Sequence, residues 1–274
     1  MKTKYIATLA VGALLAVGCG HQPKEFTYTT FTGERIWQLD IDDSTTEYVH
    51  NSYEMQWPDK GVVPSSVERE LLAAVFGGEG TGTLYRQCED YLNSQGMLEE
   101  VEGIRYPCYQ IDRLPDTVGC TVQELRTVCH ADGRLATMTV TSYIFPLGAA
   151  HGSYNIMPIV VDLERGEVLH LTDIVDTSQL GSVVARAVNR LEANASVKGC
   201  LFDEFVGASS LPVSQVFSVN PTLDTLFMVY SLYWLAPYAC GIQEVALPVT
   251  MLMENRTLTA RGRELFATSN KGSF

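Results

Sequence analysis

His151 sits in the stretch FPLGAAHGSYN, residues 145–155, with Ser153 two positions on. An imidazole near a hydroxyl is the start of hydrolytic chemistry when a carboxylate orients the ring. Ser153, however, lies in no Gly-x-Ser-x-Gly elbow. The chain has five histidines, His21, His50, His130, His151 and His170, and no two fall within five residues. Neither His-x-x-His nor His-x-x-x-His therefore exists to hold a metal from one helix face. The expectation is no metal and no cofactor. The glycine-rich GGEGTG, residues 77–82, lacks a following Gly-Lys-Ser/Thr and reads as an inter-helix loop, not a phosphate cradle.

The surroundings of His151 favour a structural role. Pro146 removes a strand donor and Gly148 loosens the backbone, so the chain turns here before re-entering a sheet near 154. Buried amides at such a corner need partners. A histidine that donates from one nitrogen and accepts at the other can stitch two segments together. His151 is thus expected to be a corner piece whose loss costs about 1–3 kcal/mol, with the APYACG turn (236–241) as its partner. Ligand contact and catalysis are the alternatives for the same residue.

The segment YWLAPYACG, residues 233–241, is the other candidate. Tyr233, Trp234 and Tyr238 flank a proline turn. Aromatic rings with polar tips suit half-wet sites and would make a sugar-stacking or protein-contact surface. The competing expectation, and the favoured one, is that they fill the core beneath a helix at 178–194. Asp162 and Asp173 stand at strand ends beside turns, where short acidic side chains commonly bond the turn backbone.

The elements that must position these residues are read from periodicity. ERIWQLDI (34–41) and TEYVHNSYEMQW (46–57) have strand composition. SSVERELLAAVFGG carries a helix with Ser65 and Glu68 spaced as a capping box, ended by Gly77. A second helix is placed over 84–98. The period then falls to two. Residues 104–113 and 118–130 suggest a hairpin, and 135–145 continues a meander with one buried face. Two strands follow across the Glu164–Glu167 turn. Leu180, Val183, Val184, Ala187, Val188 and Leu191 then give the clearest amphipathic helix, with Asp176 to Ser178 as its cap. A loop over 199–222 leads to strands at 224–235 and 242–252. The fold class is α+β: a mostly antiparallel sheet with a few helices packed on one side.

The chain has 274 residues, with Lys2 and Lys4 ahead of an apolar run from Tyr5 to Val17, then Gly18 and Cys19. That run fits a signal-peptide core and is short for a membrane span. Ala16-Val-Gly-Cys19 resembles a bacterial lipobox, which implies cleavage before Cys19 and a lipid on that residue. The implied organisation is a signal peptide over 1–18, a tether over 19–33, an N-terminal α+β part over 34–146 and a C-terminal domain over 147–274. Gly20 in place of aspartate favours the outer membrane, and the absence of an acidic run after Cys19 favours its periplasmic face.

Losing Lys2 and Lys4 takes the formal net charge from −13 to −15. No basic cluster suits nucleic acid, and the acidity favours a basic partner if any. Besides Cys19, six cysteines remain: Cys88, Cys108, Cys120, Cys129, Cys200 and Cys240. An oxidising compartment permits disulfides among them, and the sequence does not choose the pairing.

Residues 145–252 carry GAAHG, VVDLERGEVLHLTDIV, an amphipathic helix and LYWLAPYACGIQEVALPV in that order. This pattern resembles the DUF3298 domain of RsiV-type lysozyme-sensing anti-sigma factors, also found as the accessory domain of certain peptidoglycan deacetylases. The part upstream, from Trp57-Pro58 through the meander, is similar to the DUF4163-like part that precedes that domain. Trp234 and Cys240 depart from the family's Y-x-I-A-P-Y-A-x-G segment. The resemblance implies a cell-envelope binding module that is not an enzyme, and the lipobox-like Ala16–Cys19 implies a lipoprotein anchored through Cys19. It would bind a peptidoglycan-related glycan or a basic protein such as lysozyme, with His151, Tyr233, Trp234 and Tyr238 as candidate contacts. A cell-wall hydrolase using His151 and a structural envelope scaffold are the alternatives.

Overall fold

The computed structural model describes residues 26–95, 105–116 and 118–267. The lipobox, Cys19 and the first part of the tether lie outside the described residues. The chain divides into two compact units. The first holds the described residues up to Cys129 together with Val140–Tyr154; the second holds His130–Thr139 and the described residues from Asn155 onward.

Strand β1 (Tyr28–Asp40) pairs antiparallel with β2 (Thr46–Pro58) along the full length of both. β1 therefore begins at Tyr28, inside the stretch read as tether. Two-residue alternation shows in β2, where Val49, Asn51, Tyr53, Met55 and Trp57 are buried and Glu54 is exposed. Helix α1 (Ser65–Phe76) buries Val67, Leu71 and Leu72, and Gly77, at φ 79°, closes it as expected. The expected capping box does not form. Pro64 in extended conformation is the N-cap, and its carbonyl takes the Glu68 amide at 3.0 Å. Ser65 is already inside the first turn, so its hydroxyl is one position too late to cap. Helix α2 (Leu84–Leu92) is capped by the Thr83 side chain.

The expected hairpin of 104–113 with 118–130 does not form either. β3 (Cys108–Ile111) pairs with β1, at Ile36–Leu39. β4 (Thr121–Asp132) instead runs parallel to β2. A turn signal such as Leu114-Pro115 marks a reversal but carries no information about which distant strand will receive the chain. β5 (Leu135–Phe145), β6 (Ser153–Asp162) and the short β7 (Glu167–Val168) complete a seven-stranded, mostly antiparallel sheet of order β3-β1-β2-β4-β5-β6-β7.

In the second unit the strand expected after the Glu164–Glu167 turn stops after two residues. Helix α3 (Leu171–Ile174) takes over, capped reciprocally: the Asp173 carboxylate accepts the His170 amide at 2.8 Å. Helix α4 (Leu180–Arg190) is the amphipathic helix expected, with Leu180, Val183, Val184, Ala187 and Val188 all buried. The Asp176–Ser178 segment does not cap it; Gln179 is the N-cap. The segment read as a loop contains the end of helix α5 (Ala195–Cys200) and β8 (Phe217–Val219).

β9 (Thr225–Tyr230) and β10 (Gln243–Pro248) are shorter than the strands read from sequence. With β8 they form a separate antiparallel sheet of order β10-β9-β8. Past Pro248 the period returns to helical in α6 (Val249–Glu254), and a last helix, α7 (Ala260–Ala267), was not anticipated. The core of this unit joins the α4 stripe to Leu226, Met228 and Tyr230 of β9, Val245 and Leu247 of β10, and Leu265 and Phe266 of α7. Among the described residues no helix is long and apolar enough to cross a membrane.

Candidate functional site

The aromatic segment leaves the β9 strand at Tyr230, the last residue of a fully buried run. Tyr230 has no solvent exposure, and its hydroxyl donates to the Pro212 carbonyl at 2.7 Å. Burial pushes that phenol well above its ordinary pKa, so it stays a neutral donor. The chain then turns. Leu235 and Ala236 point inward and are buried, while Tyr233 is 57% exposed and Trp234 39% exposed.

The expectation that these rings fill the core beneath the helix is thus overturned for Tyr233 and Trp234. Leu235 and Ala236 take the inward positions, because a turn cannot bury four consecutive side chains on one side. Tyr233 is held at φ 64°, a left-handed backbone that a bulky residue adopts only when its surroundings force it.

Several contacts do the forcing. The Trp234 ring meets the buried Tyr230 ring edge-on, with centroids 5.3 Å apart, and the Trp234 amide donates to the Ser231 carbonyl at 3.2 Å. Tyr233 lies beside Tyr238 with ring centroids 5.9 Å apart and planes tilted by 32°. Tyr238 opens a single 3-10 turn through Cys240, which Gly241 ends at φ 70°. The Gln243 side-chain amide donates to the carbonyls of Cys240 and Gly241, closing that turn from below. A backbone bond from the Phe202 amide to the Leu235 carbonyl, 2.9 Å, and the Cys200–Cys240 disulfide, Cα atoms 6.1 Å apart, tie the segment to the end of α5. Ser231 Oγ donates to Asn155 Oδ1 at 2.9 Å. The result is a ledge of three rings, two of them exposed, on a turn held from both sides.

His151 is expected as a buried corner piece, and the structure places it at the surface instead. It is exposed at a bend, and its Nδ1 lies 3.0 Å from the carbonyl oxygen of the next residue, Gly152. The tight position is Gly152 itself, which is buried and where any Cβ would collide with the Tyr143 ring. His151 belongs to the first unit and Tyr233, Trp234 and Tyr238 to the second.

Asp162 does bond its turn, accepting the amides of Glu164 and Arg165 at 3.1 and 3.2 Å. It also does something the sequence did not show. Its side chain is fully buried and accepts from Nε and Nη2 of Arg134, with Nη2 at 2.6 Å. Arg261 of α7 lies 3.8 Å from Asp162 and 2.5 Å from Glu167, while Glu264 bonds Arg165 at 2.8–2.9 Å. Burial raises the Asp162 pKa, but the Arg134 hydrogen bonds and charge and the two turn amides outweigh it, so the net shift is downward. This cluster fastens α7 to the β6–β7 turn. Asp162, Glu167 and Glu264 face Arg134, Arg165 and Arg261, with the buried Nε of Arg261 left without a hydrogen-bond partner among the described residues, and the cluster has the character of a clasp. Arg134 is 28 residues from Asp162 and Glu264 a further hundred or so, a separation no local pattern signals. Among the described residues no three of His, Cys, Asp and Glu gather as a metal would require.

No family model matches the sequence, and no curated protein does. Solved structures do match the fold. A member of the DUF3298 family from Bacteroides fragilis superposes with a TM-score of 0.61 at 16% identity, over 92% of this chain and all of that one. A DUF3298 family protein from Pseudomonas aeruginosa gives a TM-score of 0.52, also at 16% identity, over 87% of this chain and 97% of that one. At such identity the likeness is one of fold.

Proposed function

We propose that the protein is a non-enzymatic cell-envelope lipoprotein whose Tyr233–Trp234–Tyr238 ledge binds a peptidoglycan-related glycan. The observation that carries this is the exposure of Tyr233 and Trp234 on a turn that is otherwise fixed. Folding left two aromatic rings in water and holds one of them at a strained backbone angle. Sugar rings present C–H faces that stack on aromatic rings, and the phenol hydroxyls supply polar contacts at the margin. Rigid rings also lose little side-chain entropy on binding. The lipobox-like Ala16–Cys19 supports attachment through a lipid on Cys19, with the outer membrane facing the periplasm as the favoured site.

A basic protein such as lysozyme is the second reading, supported by the formal net charge of −13. A hydrolase centred on His151 has less support, because the ring stands exposed at a bend. Titration calorimetry with soluble muropeptides decides between the readings. Trp234→Ala should weaken muropeptide binding by about tenfold or more, the loss typical of a central aromatic contact, while leaving the melting curve close to wild type. Unchanged affinity in that variant would sink the ledge as the site, and binding of lysozyme in place of muropeptides would favour the second reading.

A further inference from the structure

We infer that the Asn155 side-chain amide is the specificity-determining group of the ledge, and that it selects sugars carrying an N-acetyl group over the same rings with a free amine or a hydroxyl at that carbon. This rests on the glycan-binding role proposed above and names its substrate class. Asn155 is exposed at the start of β6. Its Oδ1 accepts from Ser231 Oγ at 2.9 Å, and the Ser231 carbonyl takes the Trp234 amide at 3.2 Å. The Asn155 amide is thus fastened to the turn that carries the two exposed rings, Tyr233 and Trp234. Asn155, Ser231 and both rings belong to the second unit.

A primary amide has an acceptor end and a donor end. The Ser231 hydroxyl engages the acceptor end, and no described residue engages Nδ2. Water competes for both partners of this exposed bond, so it adds little to stability. What it does is fix which end of the amide faces outward. A strand position and a hydroxyl tether also leave the side chain little freedom to lose on binding. The ledge therefore offers ring faces and one oriented donor. Ring faces stack on the C–H face of a sugar whatever its substituents. The donor discriminates. An acetamido group presents a carbonyl oxygen to it, and a methyl group suited to packing on a ring. A free amine is protonated at neutral pH and has only N–H donors, so two donors would face each other and both go unpaired. A hydroxyl accepts but leaves the methyl contact unmade.

The experiment is titration calorimetry at about 0.15 M salt, where exposed charge is screened. The probes are chitotetraose, the glucosamine tetramer and cellotetraose, which share one backbone and differ only at C2, with soluble muropeptides alongside. The wild type should bind chitotetraose about tenfold or more tighter than the other two tetramers. Asn155→Ala should remove most of that preference and keep the weaker binding that the rings supply. Asn155→Asp keeps the acceptor for Ser231 and turns the outward donor into an anionic acceptor. It should reverse the preference towards the glucosamine tetramer, which loss of a merely structural contact would not do, and it keeps the test open if the alanine variant folds poorly. Equal affinity of the wild type for all three tetramers, or a preference for chitotetraose that survives both substitutions, overturns the role of Asn155 and leaves the ledge standing. Muropeptide binding without chitotetraose binding does the same. Binding of no tetramer and no muropeptide overturns the ledge reading and this one with it.

Discussion

In the first unit Cys88, Cys108, Cys120 and Cys129 are free thiols; in the second, Cys200 and Cys240 are joined. One buried polar pin in each unit differs in charge, although the second unit also buries the neutral Asn194 against the backbone of Ala246. The first pins the end of α2 with a neutral group: Asn51, fully buried, donates to the carbonyls of Tyr91, Leu92 and Ser94, and its oxygen accepts from Gln123. The second fastens its last helix with charge, through Asp162, Arg134, Arg261 and Glu264.

Residue type alone therefore does not set the chemistry. Two cysteines become a crosslink only where the backbone brings their Cα atoms to bonding separation. Elsewhere a buried thiol is a small hydrophobe: desolvation pushes the Cys88 and Cys129 thiols up to about 12. A neutral buried amide and a buried ion pair also fail differently when one partner is lost, because an uncompensated charge costs more than an unpaired amide.

The sharpest way to break this comparison is at the two buried pins. Asp162→Ala removes the fully buried partner of Arg134, which keeps only the more exposed Glu164 at 3.3 Å and Glu264 at 3.9 Å, and should cost about 3 kcal/mol, whereas Asn51→Ala should cost about 1–3 kcal/mol, both read from denaturant midpoints. The two should also part with pH. The folded-state pKa of Asp162 lies below its unfolded value. Its stabilisation is therefore fully present above the ordinary carboxylate range and is lost as pH falls through the folded value. Acid titration of wild type should show that loss, and Asp162→Asn should lack its share of it. Equal costs at both pins, or an Asp162 variant with unaltered acid sensitivity, would erase the distinction between neutral and ionic burial.

A smaller effect tests the thiols. With a thiol pKa of about 12, roughly one molecule in ten thousand carries a thiolate at pH 8. Iodoacetamide on the native protein, read by mass spectrometry, should leave Cys88 and Cys129 unlabelled and modify them only after unfolding. Native labelling at either would mean that the first unit opens locally far more than its burial indicates. The smallest effect is at the corner. His151→Ala should change stability by no more than about 0.5 kcal/mol, the range for an exposed position, while Gly152→Ala should cost more, because the end of the Tyr143 ring must move away from the new Cβ. A large loss at His151 would restore the stitching role first read from the sequence.

Much of the secondary structure was legible because it is written in local periodicity. The alternation of β2, the apolar stripe of α4 and the Gly77 stop of α1 each need only a few neighbouring residues to be recognised. The same locality explains the errors. Ser65 with Glu68 has capping-box spacing, yet Pro64 takes the cap. LHLTDIV has strand composition, yet His170 and Asp173 cap each other into a short helix. The 104–113 and 118–130 segments alternate as a hairpin would, yet β3 goes to β1 and β4 to β2.

The sequence by itself determined the α+β class, most of the element positions, the acidic balance and the few aromatic residues able to form a binding surface. These follow from composition and spacing along the chain, where each contribution is local. Only the tertiary structure decided which two of the six cysteines meet, that Arg134 and Glu264 belong with Asp162, and that Tyr233 and Trp234 face water while Leu235 and Ala236 face the core. Each of these turns on groups tens of residues apart, or on which side of one turn is covered. That is fixed by packing against the rest of the fold, and the residue types alone do not encode it.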